Sequence, residues 1–264
     1  MARTASTAAH WRAALACMAV ALLLLSAPPR AAAQAVDDPL EPLNRAIFQF
    51  NVIVDGTILK PVTQLYGFAV PDPAKRGVTN FLQNLRAPIV FANQILQGER
   101  EQAGITLGRF MVNTTFGLLG LIDFANYFGI PPREEADFGQ TLGVYGIGAG
   151  PYLVLPLLGP STVRDATGIA VDAFILDPTI YFTDTPMRLA RFGITAVDTR
   201  YRYGPLIDDL QANSLDFYVA ARSAFLQNRE AQIRGNGAGL GEEYESIFDD
   251  PLDEESFDDP LHEE

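Results

Sequence analysis

The stretch YGIGAGPYLVLPLLGP, Tyr145–Pro160, begins like a glycine-rich phosphate cradle and ends like a piece of membrane. A dinucleotide loop sets G-x-G-x-x-G between a strand and a helix N-terminus, where backbone N–H groups face a pyrophosphate. Here Gly146, Gly148 and Gly150 supply the glycines, and Pro151 occupies the slot of the last one. No helix opens inside PYLVLPLLGP, because Pro151 and Pro156 lack the amide donor that the helical ladder needs. The Walker lysine is missing too. A nucleotide loop is excluded, which leaves a core strand or a segment meant for lipid.

The chain ends narrow the choice. Arg3 and Arg12 precede the apolar run Ala13–Ala27, and AAAQA offers small residues for cleavage after Ala33 or Ala35. That is a secretory signal over residues 1–33, too short for a spanning helix. Cys17, the one cysteine, lies early in the apolar run behind ALA, a poor lipidation context, so an unlipidated mature protein is expected. His10 and His262 are the two histidines, so residues 36–240 contain neither His nor Cys. This removes Ser-His-Asp triads, Cys-His dyads and the usual zinc constellations, and no cofactor is expected. A carboxylate pair for glycosidase-type hydrolysis stays open.

Charge divides the chain as well. There are 19 Lys and Arg against 32 Asp and Glu overall. Twelve of the acids, and no Lys or Arg, fall from Gly241 onward. The body is nearly balanced and carries no basic stripe for nucleic acid. The acidic end reads as a disordered tail over 236–264. It holds FDDPLDEES at Phe248 and FDDPLHEE at Phe257, a repeat that DDPLEP at Asp37 partly copies and that would serve for docking.

Between these ends the helical signals are good and the strand signals poor. Val78, Phe81, Leu82 and Leu85 recur at helical spacing up to Pro88, and a second segment runs from Pro88 to Gln97. Ala103, Leu107, Phe110 and Thr114 mark the inner face of a helix from Glu99 to Phe116. Thr162 with Asp165 forms a capping-box pattern, Thr185-Pro186 opens a helix over MRLARFGITAVDTRYRY, and Asn213 opens the last. Two glycine-bearing apolar runs flank the polar REEADFGQT. Each is too apolar for an ordinary loop and too broken for a span. They suit a buried core, or a body lying in one leaflet.

At this level of detail the chain resembles the MlaA/VacJ family, the outer-membrane component of the intermembrane phospholipid transport system. The resemblance covers about 38–233 and is carried by DPLEPLNRAIFQFN at Asp38, VPDPAKRGVTNFLQNL at Val70 and PIVFANQILQGE at Pro88. RFMVNTTFGLLGLIDFA at Arg109, DFGQTLGVYGIGAGPYLVLPLLGPSTVRD at Asp137 and DPTIYF at Asp177 complete it. It implies a mainly α fold over 36–235: a ring-like bundle of amphipathic helices with a central amphipathic channel and one glycine-rich hairpin. It also implies a non-enzymatic protein at the periplasmic face of the outer membrane. Such a protein takes misplaced phospholipid from the outer leaflet and passes it to a soluble periplasmic carrier, beside a trimeric porin.

The resemblance places Gly143, Gly146, Gly148 and Gly150 in the hairpin near the channel, with Tyr145 and Tyr152 presenting amphipathic rings to a lipid head–tail boundary. A tight hairpin serving packing alone explains the same residues. Ile47, Phe50 and Val54 align on LNRAIFQFN as a membrane-facing helix, or as a surface helix docking on the core. Arg109 and Arg164 suit headgroup phosphate, or structural ion pairs with Asp123 and Asp165. Two rivals remain open: a carboxylate-dependent hydrolase, and a purely structural partner of a porin.

Overall fold

The computed structural model describes residues 38–235. The signal segment, Cys17 and the acidic tail lie outside the described residues. The body is mainly helical. Helix α1 (Glu41–Val54) continues through a π-helical turn (Asp55–Leu59) into α2 (Lys60–Ala69). The wide turn has a local cause: the ring of Pro61 clashes with the carbonyl one turn back in a regular α-helix. The Lys60 N–H instead bonds to Asp55 O, five residues back. Helices α3 (Asp72–Gln97) and α4 (Arg100–Thr115) form a helical hairpin turned at Gly98. Short helices α5 (Phe124–Tyr127) and α6 (Phe138–Val144) follow. Strands β1 (Tyr152–Leu155) and β2 (Gly159–Thr162) pair antiparallel, Tyr152 opposite Thr162 and Leu155 opposite Gly159. Helix α7 (Val163–Val171), a second π-helical turn (Asp172–Leu176), a 3₁₀ turn (Pro178–Tyr181), α8 (Thr185–Asn213) and α9 (Phe217–Ile233) complete the body.

Several boundaries differ from the sequence reading, each for a local reason. Pro88 does not end a helix; α3 runs 26 residues through it. Ala87, Ile89 and Val90 are all buried around the proline, and that packing offsets the ladder bond it cannot make. Helix α8 is capped by Asp184, which accepts from Met187 N at 3.0 Å. It then runs through Pro205 to Asn213, so the last helix opens at Asp216 instead, whose carboxylate accepts from Val219 N at 3.2 Å. Thr162 caps α7 as expected, accepting from Asp165 N at 3.1 Å. The hairpin takes up PYLVLPLLGPST; Gly159 lies in it, and Gly143 to Gly150 precede it as a helix end, a turn and an extended segment.

The apolar core is small: Tyr152, Val154 and Tyr218 pack with Ile47, Phe48, Phe225 and Leu226. Two asparagines on one face of α1 fix that helix to the hairpin. Asn44, 1% exposed, donates to Tyr152 O at 2.9 Å and accepts from Val154 N at 2.9 Å. Two turns on, Asn51 donates to Leu155 O at 2.9 Å and accepts from Leu157 N at 2.8 Å. Each side-chain amide stands in for a peptide group of a third strand, satisfying an edge that would otherwise be open.

Polarity is inverted over most of the remainder. Among the described residues, ten buried hydrophobics stand against sixteen buried polar or charged side chains and thirty-four exposed large hydrophobics. Water-soluble helices do the opposite. On α4 the inner face is Ala103, Thr106 and Asn113, while Leu107 and Met111 point outward. Leu107, expected inside, is 41% exposed. On α3, Asn84, Asn93 and Gln94 are buried and Ile95 and Leu96 exposed. Among the described residues no helix is long and apolar enough to cross a membrane.

Candidate functional site: a charged cavity inside an apolar body

A cavity of about 650 Å³ opens among α3, α6, α7, α8 and α9. Its walls carry six carboxylates (Glu135, Asp137, Asp165, Asp172, Asp177 and Asp198) and four guanidinium groups (Arg86, Arg191, Arg202 and Arg229). Leu82, Ile89, Ile169 and Phe225 supply apolar patches between them. Arg86 and Glu135 are enclosed by protein, yet their side chains are 49% and 47% accessible. The accessible surface of this pair is therefore cavity wall.

Most of these charges are held in pairs. Arg229 grips Asp137 with two bonds of 2.7 and 2.8 Å and reaches Asp165 at 2.9 Å. Arg191 pairs with Asp177 at 2.7 Å, Arg202 with Asp198 at 3.1 Å, and Glu135 with Arg133 at 2.8 Å and Arg86 at 3.2 Å. Thr79 donates to Asp198 at 2.6 Å. The bidentate fork at Asp137 is the geometry that makes a partly enclosed pair strong. Burial opposes charge on Asp137, but the bonds from Arg229 prevail and hold that carboxyl below its usual range. Burial likewise opposes charge on Glu135, and the nearby Arg86 and Arg133 prevail. Asp172 goes the other way. Burial raises it to about 6, against the Asn93 amide at 2.9 Å and the Phe138 N–H at 3.2 Å, which favour the carboxylate. Among the described residues it makes no ion pair.

Close packing of α6 on α7 brings Asp137 and Asp165 to the same guanidinium. A Cβ on Gly168 would lie 2.3 Å from Gly139 N, so only glycine admits this approach. Asp137 caps α6 through a capping box with Gln140.

The residues singled out in the sequence fall elsewhere. Arg109 lines a smaller pocket of about 100 Å³, bonded to Asp123 at 2.5 Å and to Ile130 O at 2.8 Å. Arg164 is buried, 3.3 Å from Asp165 and from Ile147 O. Gly143 faces Ile233 and Arg164, while Gly146 and Gly150 adopt left-handed φ of 80° and 70° and Gly148 lies in open space. Tyr145 is 67% exposed, with its hydroxyl donating to Leu96 O at 2.8 Å. Tyr152 is buried in the core, where burial pushes its hydroxyl up to about 12. On α1, Phe50 is exposed and Ile47 packs inward with the core; Val54 is half-buried. The outward face of α1 is Leu43, Phe50 and Ile53.

The cavity residues carried a signal that apolar periodicity does not register. Thr79 and Arg86 line the cavity seven residues apart on α3, Asn93 a further seven on donates to Asp172, and Arg191, Thr195, Asp198 and Arg202 share one face of α8. These are polar stripes on helices whose other faces are apolar. Among the described residues no group of three or more metal-ligating side chains occurs.

An apolar exterior around a charged, partly enclosed cavity defines a class of protein that meets hydrocarbon outside and polar groups within. The model of the family described as "MlaA lipoprotein" matches residues 36–232, and the chain belongs to that family. It is 36% identical to the intermembrane phospholipid transport system lipoprotein MlaA of Haemophilus influenzae, over 83% of this chain and 87% of the relative. It is 36% identical to the protein of the same name from Escherichia coli K12, over 76% and 80%. An uncharacterized protein of Rickettsia felis is 37% identical over 75% and 79%. A solved structure described as the structural basis for maintenance of bacterial outer membrane lipid asymmetry superposes with a TM-score of 0.67. It is 35% identical, over 75% of this chain and 99% of that one.

These names correct one expectation. The family and its named relatives are lipoproteins, so the reading of this chain as unlipidated is overturned. That reading rested on the residues around Cys17 alone, a local pattern that family membership over nearly the whole body outweighs.

Proposed function

We propose that this protein moves phospholipid out of the outer leaflet of the outer membrane, the headgroup passing through the charged cavity while the acyl chains stay against apolar surface. The lipid then leaves to a soluble periplasmic carrier, and a trimeric porin holds the body in place. No covalent bond of the lipid breaks. The observation that carries this reading is the inverted polarity. The exposed apolar faces would be costly in water at about 25 cal/mol per Å², and they cost little in hydrocarbon. The turn Phe116–Ile122 supports it, exposing Phe116, Leu118, Leu119 and Leu121 on a backbone with φ of 52° and 63° at the two central leucines. A headgroup crossing hydrocarbon unaided loses its hydration. A cavity of ion pairs replaces part of that hydration and lowers the barrier.

Thr195 lies on α8 at the cavity wall and is not part of any ion pair. Thr195→Trp fills the space without removing charge. Purified protein in vesicles should transfer labelled phospholipid to acceptor vesicles, and the variant should lose most of that transfer while keeping its helix content. The lipid should be recovered chemically intact. Undiminished transfer by the variant, or hydrolysed lipid, would overturn the proposal.

A further inference from the structure

We infer that the cavity selects phospholipids whose headgroup carries a primary ammonium beside the phosphate, with Asp172 receiving the ammonium and Arg86 the phosphate. The inference rests on the lipid passage proposed above and adds the headgroup class.

Five of the six carboxylates on the cavity walls are answered by an arginine within 3.3 Å. Asp172 is the sixth. Its two oxygens accept one bond each, from Asn93 Nδ2 and Phe138 N. A carboxylate has about four lone-pair sites, so about two remain on a charge that, among the described residues, no cation contacts directly. An unpaired carboxylate in a partly enclosed site is costly to keep. A ligand ammonium, with three N–H donors, supplies both the missing charge and the missing donors. Burial has already weakened this carboxylate's hold on its charge, and an incoming cation restores it.

Arg86 is the complement. Its Nε contacts Glu135 at 3.2 Å, and among the described residues its two terminal nitrogens make no hydrogen bond. It lies two turns before Asn93 on α3, close enough to Asp172 for each to act on the other's charge. Ile89 lines the same cavity. A free guanidinium edge suits a phosphate, which it grips with two parallel bonds. The pair thus offers an anion receptor and a cation receptor on one wall. A zwitterionic aminophospholipid satisfies both, whereas a glycerol headgroup brings neutral hydroxyl donors and leaves the charge of Asp172 unanswered.

The test loads the full chain from vesicles of equimolar phosphatidylethanolamine and phosphatidylglycerol with matched acyl chains, and counts co-purified lipid by mass spectrometry. The wild type should enrich phosphatidylethanolamine about tenfold, the discrimination that one charge-assisted hydrogen bond gives. Asp172→Asn should bring the ratio close to one. Phosphatidylcholine, whose quaternary ammonium has no N–H, should compete less well than phosphatidylethanolamine against the wild type, a comparison that needs no variant. Lipid bound at the vesicle ratio by the wild type overturns this inference and leaves lipid passage standing. No bound lipid of either kind overturns the passage reading itself.

Discussion

Replacing Asp172 by Asn should stabilise the folded chain by an amount that depends on pH. Burial raises the Asp172 carboxyl from 3.8 to about 6, more than Asn93 and Phe138 can offset. Roughly two pH units at 1.36 kcal/mol each give a cost of about 3 kcal/mol above pH 7. The sign follows from proton counts. Between about pH 4 and pH 6 the folded state holds a proton that the unfolded state has released, so stability falls as pH rises through that window and then levels. Asparagine never charges and escapes the cost. It also loses something: Asn93 and Phe138 donate to different oxygens, and an amide has one. The orphaned donor costs about 1 kcal/mol. The net is a gain of about 2 kcal/mol near pH 7.5 and a loss of about 1 kcal/mol near pH 4. For a domain of this size that is an upward shift in Tm of roughly 4–8 °C at the higher pH and a smaller downward one at the lower. Thermal unfolding followed by far-UV circular dichroism in detergent at both pH values measures it. A gain of equal size at both, or a loss near pH 7.5, refutes the reasoning. A stabilising change at a site needed for ligand is the usual exchange of stability for function.

Asn44→Ala removes the amide that serves two peptide groups of β1, and should lower stability by about 2–3 kcal/mol, read from the same unfolding curves. Arg229→Ala leaves Asp137 unpaired and Asp165 weakened, with an expected loss of about 3 kcal/mol at neutral pH; the loss should shrink in acid as Asp137, held below its usual range by Arg229, protonates. Exchanging Phe116, Leu118 and Leu119 together for Ser should leave the fold intact, since all three are exposed, and reduce flotation with liposomes several-fold.

The sequence disclosed much of the architecture and little of the cavity. Proline and cap signals located most helix ends, and Thr162 behaves as its capping pattern required. Pro88 misleads, because it looks like a stop and the buried Ala87, Ile89 and Val90 carry the helix across it. The inner face of α4 misleads for a deeper reason. Apolar periodicity finds a core only when water is outside, and here Thr106 and Asn113 face in while Leu107 faces out. Asn44 and Asn51 look like ordinary polar residues on an amphipathic helix, and their role as strand surrogates depends on a hairpin more than a hundred residues away. The cavity charges lie far apart in the chain, Arg86 on α3, Asp172 after α7 and Arg229 on α9, so no local motif joins them.

Photo-crosslinking with two phospholipid probes tests the central claim most directly. One probe carries its reactive group on the headgroup and the other near the end of an acyl chain; each is loaded into the protein in vesicles and the attachment sites are mapped by peptide mass spectrometry. The headgroup probe should mark the cavity stretches around Arg86, Asp172 and Arg229, and the acyl probe the outward surfaces at Leu43, Phe50 and Phe116–Ile122. Headgroup label confined to the outward surfaces would contradict passage through the cavity.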